Sequence, residues 1–290
     1  VWRALAPSVA YPVSIILNMS FREGKFPAMW KTAVVVATYK NRGPRTTPSN
    51  YRPISLLSTL SKVCERVVYD IIYDHVRISL SPAQSGFCRG DSTRYQVTRL
   101  VQDIHTARNA HNHVGLVFFD LAKAFDTVWH RGLLAKLRTV YRIDGKAIGW
   151  LSSYLSNRHQ LVRLSTVLSE PLPVTSGVPQ GSILGPLLFL LYINDLPDIA
   201  PGVSLFADDT ALLCSNACPI RLHEAMQDSI GKVITWMHDW KLQPNVDKTA
   251  AMYISPSPPS LPLCFPSSSV AIRIVEEHKH LGVIIDSKLS

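Results

Sequence analysis

VSLFADDTALLC, residues 203–214, sets an apolar run on either side of an acidic pair, Asp208 and Asp209. Apolar runs this short, separated by so small a polar gap, read as the two strands of a hairpin. A two-residue hairpin turn is best served by Asn-Gly or Asp-Gly, because both central residues take positive φ. Two adjacent acids serve it poorly and repel each other, so the turn costs stability unless a cation neutralises them. Alone, the pair reads as a solvated acidic turn at least as readily as a metal site. A third acid changes the balance. GLVFF, residues 115–119, is a continuous apolar run of the buried-strand kind, and it ends in Asp120 just where the pattern turns helical. Pairing of that strand beside the 203–207 hairpin would bring three carboxylates to one edge of a sheet. Hard divalent cations take oxygen ligands, and Mg²⁺ keeps positions for water and phosphate. Two such ions a few ångströms apart clamp the attacking and leaving oxygens of a phosphoryl displacement.

Outward from these residues, helices and strands alternate. Phe125, Val128, Trp129, Leu133 and Leu137 line one helical face after Asp120. Upstream, Ser55 is a plausible N-cap for a helix on which Leu57, Leu60, Cys64, Val67, Val68 and Ile71 recur at helical spacing. A buried helix is expected over 186–193 and another over 222–241, with strands near 250–254, 270–275 and 281–285. This interleaving predicts an α+β fold built on an antiparallel sheet. Two loops stand out: basic, Pro-bearing KNRGPRTTPSN at 40–50, and SPSPPSLPLCFPSSS at 255–269, where Pro removes the donors a strand needs.

The chain has 290 residues, 47% hydrophobic and 18% charged, with a mean hydropathy of +0.11. That excludes a disordered chain and is ample for a sizeable core. Thirty Lys and Arg against 21 Asp and Glu leave a net charge of +9, which suits a polyanionic partner, nucleic acid before an acidic membrane surface. Five cysteines without paired spacing argue against a disulfide framework. Cys214, Cys218 and His223 lack the second ligand pair of a zinc site and read as ordinary residues. The longest apolar run, ILGPLLFLLYI at 183–193, is too short to span a bilayer and contains Pro186. VWRALAPSVAYP at the start has no secretory-signal progression, and with the abrupt DSKLS end it reads as a piece cut at both ends.

The order NYRPISLL (50–57), FFDLAKAFD (118–126), SGVPQGSILGP (176–186), FADDTALL (206–213), NVDKT (245–249) and KHLGVIID (279–286) resembles reverse transcriptases, above all those of non-LTR, LINE-type retrotransposons. The resemblance runs from about residue 20 to the last. Group II intron and telomerase-type enzymes share the chemistry but fit these blocks less well. It implies a right-hand polymerase fold, with fingers over 1–114, a palm over 115–270 from which 141–176 returns to the fingers, and a primer-grip hairpin with a truncated start of a thumb over 271–290. It makes Asp120 and Asp208 the principal metal ligands, with Asp209 the adjacent third carboxylate. Phe125 falls at the steric gate against a ribose 2′-hydroxyl, and Gln180 and Gly181 lie under the incoming nucleotide. Lys40 and Arg52 match fingers residues that grip the triphosphate, Lys248 a palm lysine near the pyrophosphate leaving group and a candidate general acid, and Leu281-Gly282 the hairpin that grips the primer. Independently of the family, Gly177 and Gly181 suit a backbone that comes close to a ligand, and Asp126 suits a support for the strand–helix turn. The stretch NRHQLVRL, with Arg158, His159 and Arg163 near Trp150 and Tyr154, suits phosphate tracking and base stacking about as well as a bland amphipathic helix and strand.

The sequence departs from the family pattern at Ala37, Cys88, Asp91 and Pro244, leaving Arg89 and Arg94 for the template; the carboxylates are untouched. The implied reaction is RNA-templated addition of deoxynucleotides to a DNA primer 3′-end, with two Mg²⁺ ions (Mn²⁺ as a substitute). The implied setting is intracellular and nuclear, with an endonuclease domain in the parent polypeptide and no membrane. The rival reading is a catalytically silent RNA-binding scaffold on a polymerase fold.

Overall fold

The computed structural model describes residues 2–41, 43–266 and 270–289, and the side chains from residue 7 onward. Arg42 of the basic loop, 267–269 of the Pro/Ser-rich loop and the terminal residues lie outside the described residues. In chain order come α1 (Trp2–Glu23), β1 (Thr32–Tyr39), β2 (Tyr51–Leu56), α2 (Thr59–Val76), α3 (Thr93–Asn109), β3 (His113–Phe119), α4 (Ala124–Thr127), α5 (His130–Thr139), α6 (Gly145–Leu155), β4 (Arg158–Leu164), β5 (Val167–Leu168) and β6 (Leu172–Val174). Then follow α7 (Leu184–Ile193), α8 (Leu196–Ile199), β7 (Val203–Phe206), β8 (Asp209–Asn216), α9 (Pro219–Asp239), β9 (Ala250–Ile254), β10 (Arg273–Ile274), β11 (Glu277–His280) and β12 (Val283–Asp286). They divide into two units, Val1–Ser79 with Phe125–Leu191, and Leu80–Ala124 with Tyr192–Ser290.

The first unit carries a sheet ordered β2-β1-β4-β5, with β6 also on β4; β1 runs antiparallel to β2 and parallel to β4. Ala33 and Val35 of β1 are buried while Thr32 and Thr38 are exposed, the period-two alternation of a sheet with one wet face. Ser55 is not a helix cap. It lies in β2 opposite Val35, and Ser58 stands before α2. The helical period of the following segment holds, but the buried face differs from the expected one. Ser61, Cys64, Glu65, Val68 and Ile72 point inward, whereas Val67 and Ile71 are exposed. The helix expected after Asp120 is broken into α4 and α5 at Val128-Trp129. Beneath α1 and α6, Phe26 meets Trp150 edge-on at 5.3 Å and Tyr154 at 5.0 Å, and the Trp150 indole donates to Ser20 Oγ at 2.9 Å. Arg158 is buried against this cluster, its guanidinium 4.9 Å over the Tyr154 ring. Arg158, Trp150 and Tyr154 are therefore structural, and phosphate tracking or base stacking by them is ruled out by burial.

The second unit is built on β10-β9-β3-β8-β7, antiparallel except between β9 and β10. On one face Val114, Leu116 and Phe118 of β3, Ala211 of β8 and Met252 and Ile254 of β9 pack against Leu100 and Ile104 of α3 and Ile285 of β12. The opposite face is covered by α9, which approaches so closely that a Cβ on Gly115 would lie 2.1 Å from the Met226 sulfur. The β11–β12 hairpin docks through His278, whose ring stacks on Phe118 at 4.1 Å. Burial, then the charge of Arg273, lowers the His278 pKa, and burial with the neighbouring His278 pushes that of His280, whose ring lies 5.2 Å from Phe118, down to about 4. Among the described residues no helix is long and apolar enough to cross a membrane.

Candidate active site

The acids gather at one end of the second unit's sheet. Phe119, the last residue of β3, pairs with Thr210 of β8, so the register sets Asp120 beside Asp209, the first residue of β8. Asp208 precedes it in the β7–β8 turn. That turn is one residue out of the expected place: Phe206 pairs with Asp209, so the central residues are Ala207 and Asp208 rather than the two acids. Ala207 has φ +56°, a left-handed conformation costing a residue with a Cβ roughly 1–2 kcal/mol.

The segment before α3 holds it there. Ser85 N–H donates to Leu205 O at 2.9 Å and Leu205 N–H to Ala83 O at 2.8 Å, a parallel bridge of Gln84 with Leu205. Gln84 Oε1 accepts the N–H of Gly86 at 2.8 Å and, at a long 3.5 Å, that of Ala207. A Cβ on Gly86 would stand 2.1 Å from the Ala207 nitrogen. Sequence reasoning passes over Gln84 and Gly86. The only signal is a glycine in QSGF, and it acquires a meaning once the turn it touches is known.

Lys248 joins the acids, its Nζ donating to Asp120 Oδ2 at 2.9 Å. The loop that carries it is laced to the strand end: Asn245 N–H donates to Asp120 O at 2.7 Å, Ala122 N–H to Gln243 O at 2.9 Å, and Pro244 bridges Leu121. Asp209 has its pKa pushed up to about 6, first by burial, then by the charges of Asp208 and Asp120, with Lys248 opposing. The three carboxyls thus feel one another's charge. Among the described residues no three His, Cys, Asp or Glu side chains enclose a metal position by themselves. The donor set is nevertheless all oxygen and short of positive charge, which fits a hard cation that takes its other ligands from water and phosphate.

In the first unit, Phe125, Pro179, Gln180, Gly181 and Pro186 line a cleft of ≈ 200 Å³. The Phe125 ring stacks on Phe189 at 4.6 Å. Asp126 braces the 176–181 loop: its carboxyl accepts from Gln180 Nε2 at 3.2 Å and its carbonyl from Ser176 Oγ at 3.0 Å. The two glycines make close approaches to the chain itself. A Cβ on Gly177 would lie 2.6 Å from Asp126 O, and one on Gly181 2.7 Å from Ser55 O. Ser55 N–H in turn donates to Gln180 O at 2.7 Å. These glycines let the loop close on α4 and β2, where the expectation was a ligand.

Arg52 pairs with Thr38, and Lys40 lies two residues beyond Thr38, so alternation sets Arg52 and Lys40 on the exposed face of the β1–β2 ribbon. Lys40 Nζ donates to Ser49 O at 2.8 Å. Leu281 and Gly282 form the tip of the β11–β12 hairpin, with φ +49° and +91°. His223 shares a hydrogen bond of 2.9 Å with the Tyr253 hydroxyl, and Cys214 and Cys218 are free thiols.

The pattern of the reverse transcriptase (RNA-dependent DNA polymerase) family matches residues 39–285. The chain therefore belongs to the reverse transcriptase family, as the six blocks imply. It is 34% identical to the probable RNA-directed DNA polymerase from transposon BS of Drosophila melanogaster, over 99% of this chain and 33% of that protein. It is 28% identical to the RNA-directed DNA polymerase from mobile element jockey of the same species, over 96% of this chain and 31% of that one. The chain thus spans about a third of the length of these curated relatives. Among solved structures, apo telomerase from Candida tropicalis superposes with a TM-score of 0.59 at 12% identity, over 98% of this chain and 53% of that one. Identity that low speaks to fold alone, and the fold is the α+β right-hand polymerase fold expected from the sequence.

Proposed function

We propose that this chain is the polymerase core of a retrotransposon reverse transcriptase, adding deoxynucleotides to a DNA primer 3′-end on an RNA template. The observation that carries this reading is the shared sheet end at which Asp120, Asp208 and Asp209 couple electrostatically with Lys248 alongside. Asp120 and Asp208 would hold Mg²⁺, with Asp209 adding negative charge. Held there, two ions would supply a lowered pKa for the primer 3′-hydroxyl and positive charge against the triphosphate. The chain's own groups supply the rest. Lys40 and Arg52 bind the triphosphate, Arg through its planar fork and Lys as a point charge. Gln180 and Gly181 form the floor beneath the nucleotide, and Phe125 excludes a 2′-hydroxyl. The 3′-oxygen bonds to the α-phosphorus as the bond to the β-phosphate's bridging oxygen breaks. The hydroxyl proton leaves to water, and Lys248 gives its own proton to the departing pyrophosphate.

In this reading the hand divides as the family implies, with fingers over 1–114 and 141–176 and a palm over most of 115–270. Leu281 and Gly282 grip the primer, an endonuclease domain belongs to the same polypeptide, and synthesis takes place in the nucleus. Asp208→Asn should cut Mg²⁺-dependent primer extension on an RNA template by about 10³-fold or more, with the melting temperature unchanged or raised. A folded, fully active Asp208→Asn protein would falsify the assignment. RNA retention on a filter, with no Mg²⁺-dependent synthesis by the unsubstituted chain, would favour the silent scaffold instead.

A further inference from the structure

Glu65, on α2, is completely buried. Four donors converge on its carboxyl: Ser61 Oγ reaches Oε1 at 2.7 Å, while Ile183 N–H at 2.8 Å, Leu184 N–H at 3.2 Å and, more loosely, the Tyr154 hydroxyl at 3.4 Å reach Oε2. The two amides lie at the start of α7, whose first N–H groups have no partner within the helix and whose dipole favours a carboxylate there. Immediately upstream is the turn Pro179–Ser182. Ser182 Oγ donates to Pro179 O at 2.8 Å and accepts Gly185 N–H at 2.9 Å, so the turn and the first helical turn share one hydrogen-bond set. A buried carboxyl is costly to desolvate, and an acceptor with every donor in place fixes position more than it adds stability. What it fixes is the turn whose Pro179, Gln180 and Gly181 line the ≈ 200 Å³ cleft.

We infer that Glu65 is a positioning residue for the incoming nucleotide: by capping α7 from below it sets the Pro179–Ser182 turn, and with it the floor on which the deoxynucleoside triphosphate rests. The inference rests on the proposed reading that the nucleotide lies against Gln180 and Gly181. Glu65→Gln keeps one oxygen for the two amides and turns its NH₂ toward Ser61, whose hydroxyl can rotate to accept. Glu65→Ala leaves both amides orphaned.

The test is steady-state primer extension with the full chain, beside primer–template affinity and amide hydrogen exchange across residues 179–185. Glu65→Ala should raise the KM for deoxynucleotides about 10-fold or more, with kcat within about 3-fold, and speed exchange at the Ile183 and Leu184 amides. Primer–template affinity should not move, and Glu65→Gln should recover most of the loss. If Glu65→Ala does not fold, the double variant Ser61→Ala, Tyr154→Phe loosens the carboxyl while leaving α7 capped, and about a 3-fold rise in KM is expected. Unchanged KM in the folded variants overturns the inference, whether or not amide exchange speeds up. Gln180→Ala separates the two readings. If it raises KM while the Glu65 variants do not, only the role of Glu65 falls; if it leaves KM unchanged too, the placement of the nucleotide falls with it.

Discussion

Burial and two neighbouring carboxyls hold the Asp209 pKa near 6 against an ordinary value of 3.8. Between those values the folded chain keeps a proton that the unfolded chain releases. The stability this confers is fully present below about pH 4 and is lost as pH rises through about 6. At neutral pH the acids therefore strain the fold, and a cation that binds them relieves it. Mg²⁺ at ten times its dissociation constant adds about 1.4 kcal/mol, which for a chain this size is roughly 2–3 °C in Tm. Thermal melts should show that rise at pH 7.5 and little of it at pH 5, and Asp209→Asn should shrink the difference; a Tm indifferent to Mg²⁺ at pH 7.5 contradicts the metal site. The convergence of Asp120 with Asp208 and Asp209 was legible in the sequence because each acid ends or begins an apolar run. The place of the turn was not. Ala207 adopts a conformation that no local rule assigns to alanine, and what holds it there, Gln84 and Gly86, lies more than a hundred residues upstream.

Elements were legible where periodicity and burial agree, and misread where polar groups are buried for another element's sake. The helical period of α2 was visible, but its inner face carries Ser61 and Glu65 while Val67 and Ile71 face outward. A hydrophobic pattern alone finds Cys64 and Val68 but adds Val67 and Ile71 and leaves out Ser61 and Glu65. Ser55 was taken into a strand because β1 offers it a pairing partner, a non-local gain that overrides cap preference. The β11–β12 hairpin shows the same conflict at its tip, where Leu281 takes positive φ. Leu281→Asn suits that conformation and should raise stability by about 1 kcal/mol. If this tip grips the primer, the same variant loses primer extension while melting higher; equal activity would remove the tip from the site. Gly86→Ala acts oppositely. Its Cβ would collide with the Ala207 backbone, 2.1 Å away, so the turn must shift. A loss of about 1–3 kcal/mol is expected with activity lowered at least 10-fold, read by denaturant melts beside primer extension.

Across the whole molecule, the six blocks were legible because their order spans nearly the entire chain, whereas the contact units that carry them interleave in sequence, residues 80–124 belonging with 192–290. Element type does not mark those boundaries, since both units mix helix and sheet. Charge does divide with the units: Val1–Ser79 with Phe125–Leu191 carries 18 Lys and Arg against 7 Asp and Glu, and Leu80–Ala124 with Tyr192–Ser290 carries 12 against 14, so the net +9 of the chain rests on the first unit. Binding of a template–primer should then be driven largely by release of counterions from phosphate. For about five neutralised phosphates the affinity should fall roughly 10²- to 10³-fold between 50 and 200 mM salt, linearly in log–log form. Fluorescence anisotropy with a labelled RNA–DNA hybrid measures this slope directly. Arg52→Ala should leave the slope nearly unchanged while raising the KM for deoxynucleotides, because its proposed phosphate belongs to the nucleotide and not to the template. A slope flattened by Arg52→Ala would move that residue, and the exposed face of the β1–β2 ribbon with it, from the triphosphate to the nucleic-acid track.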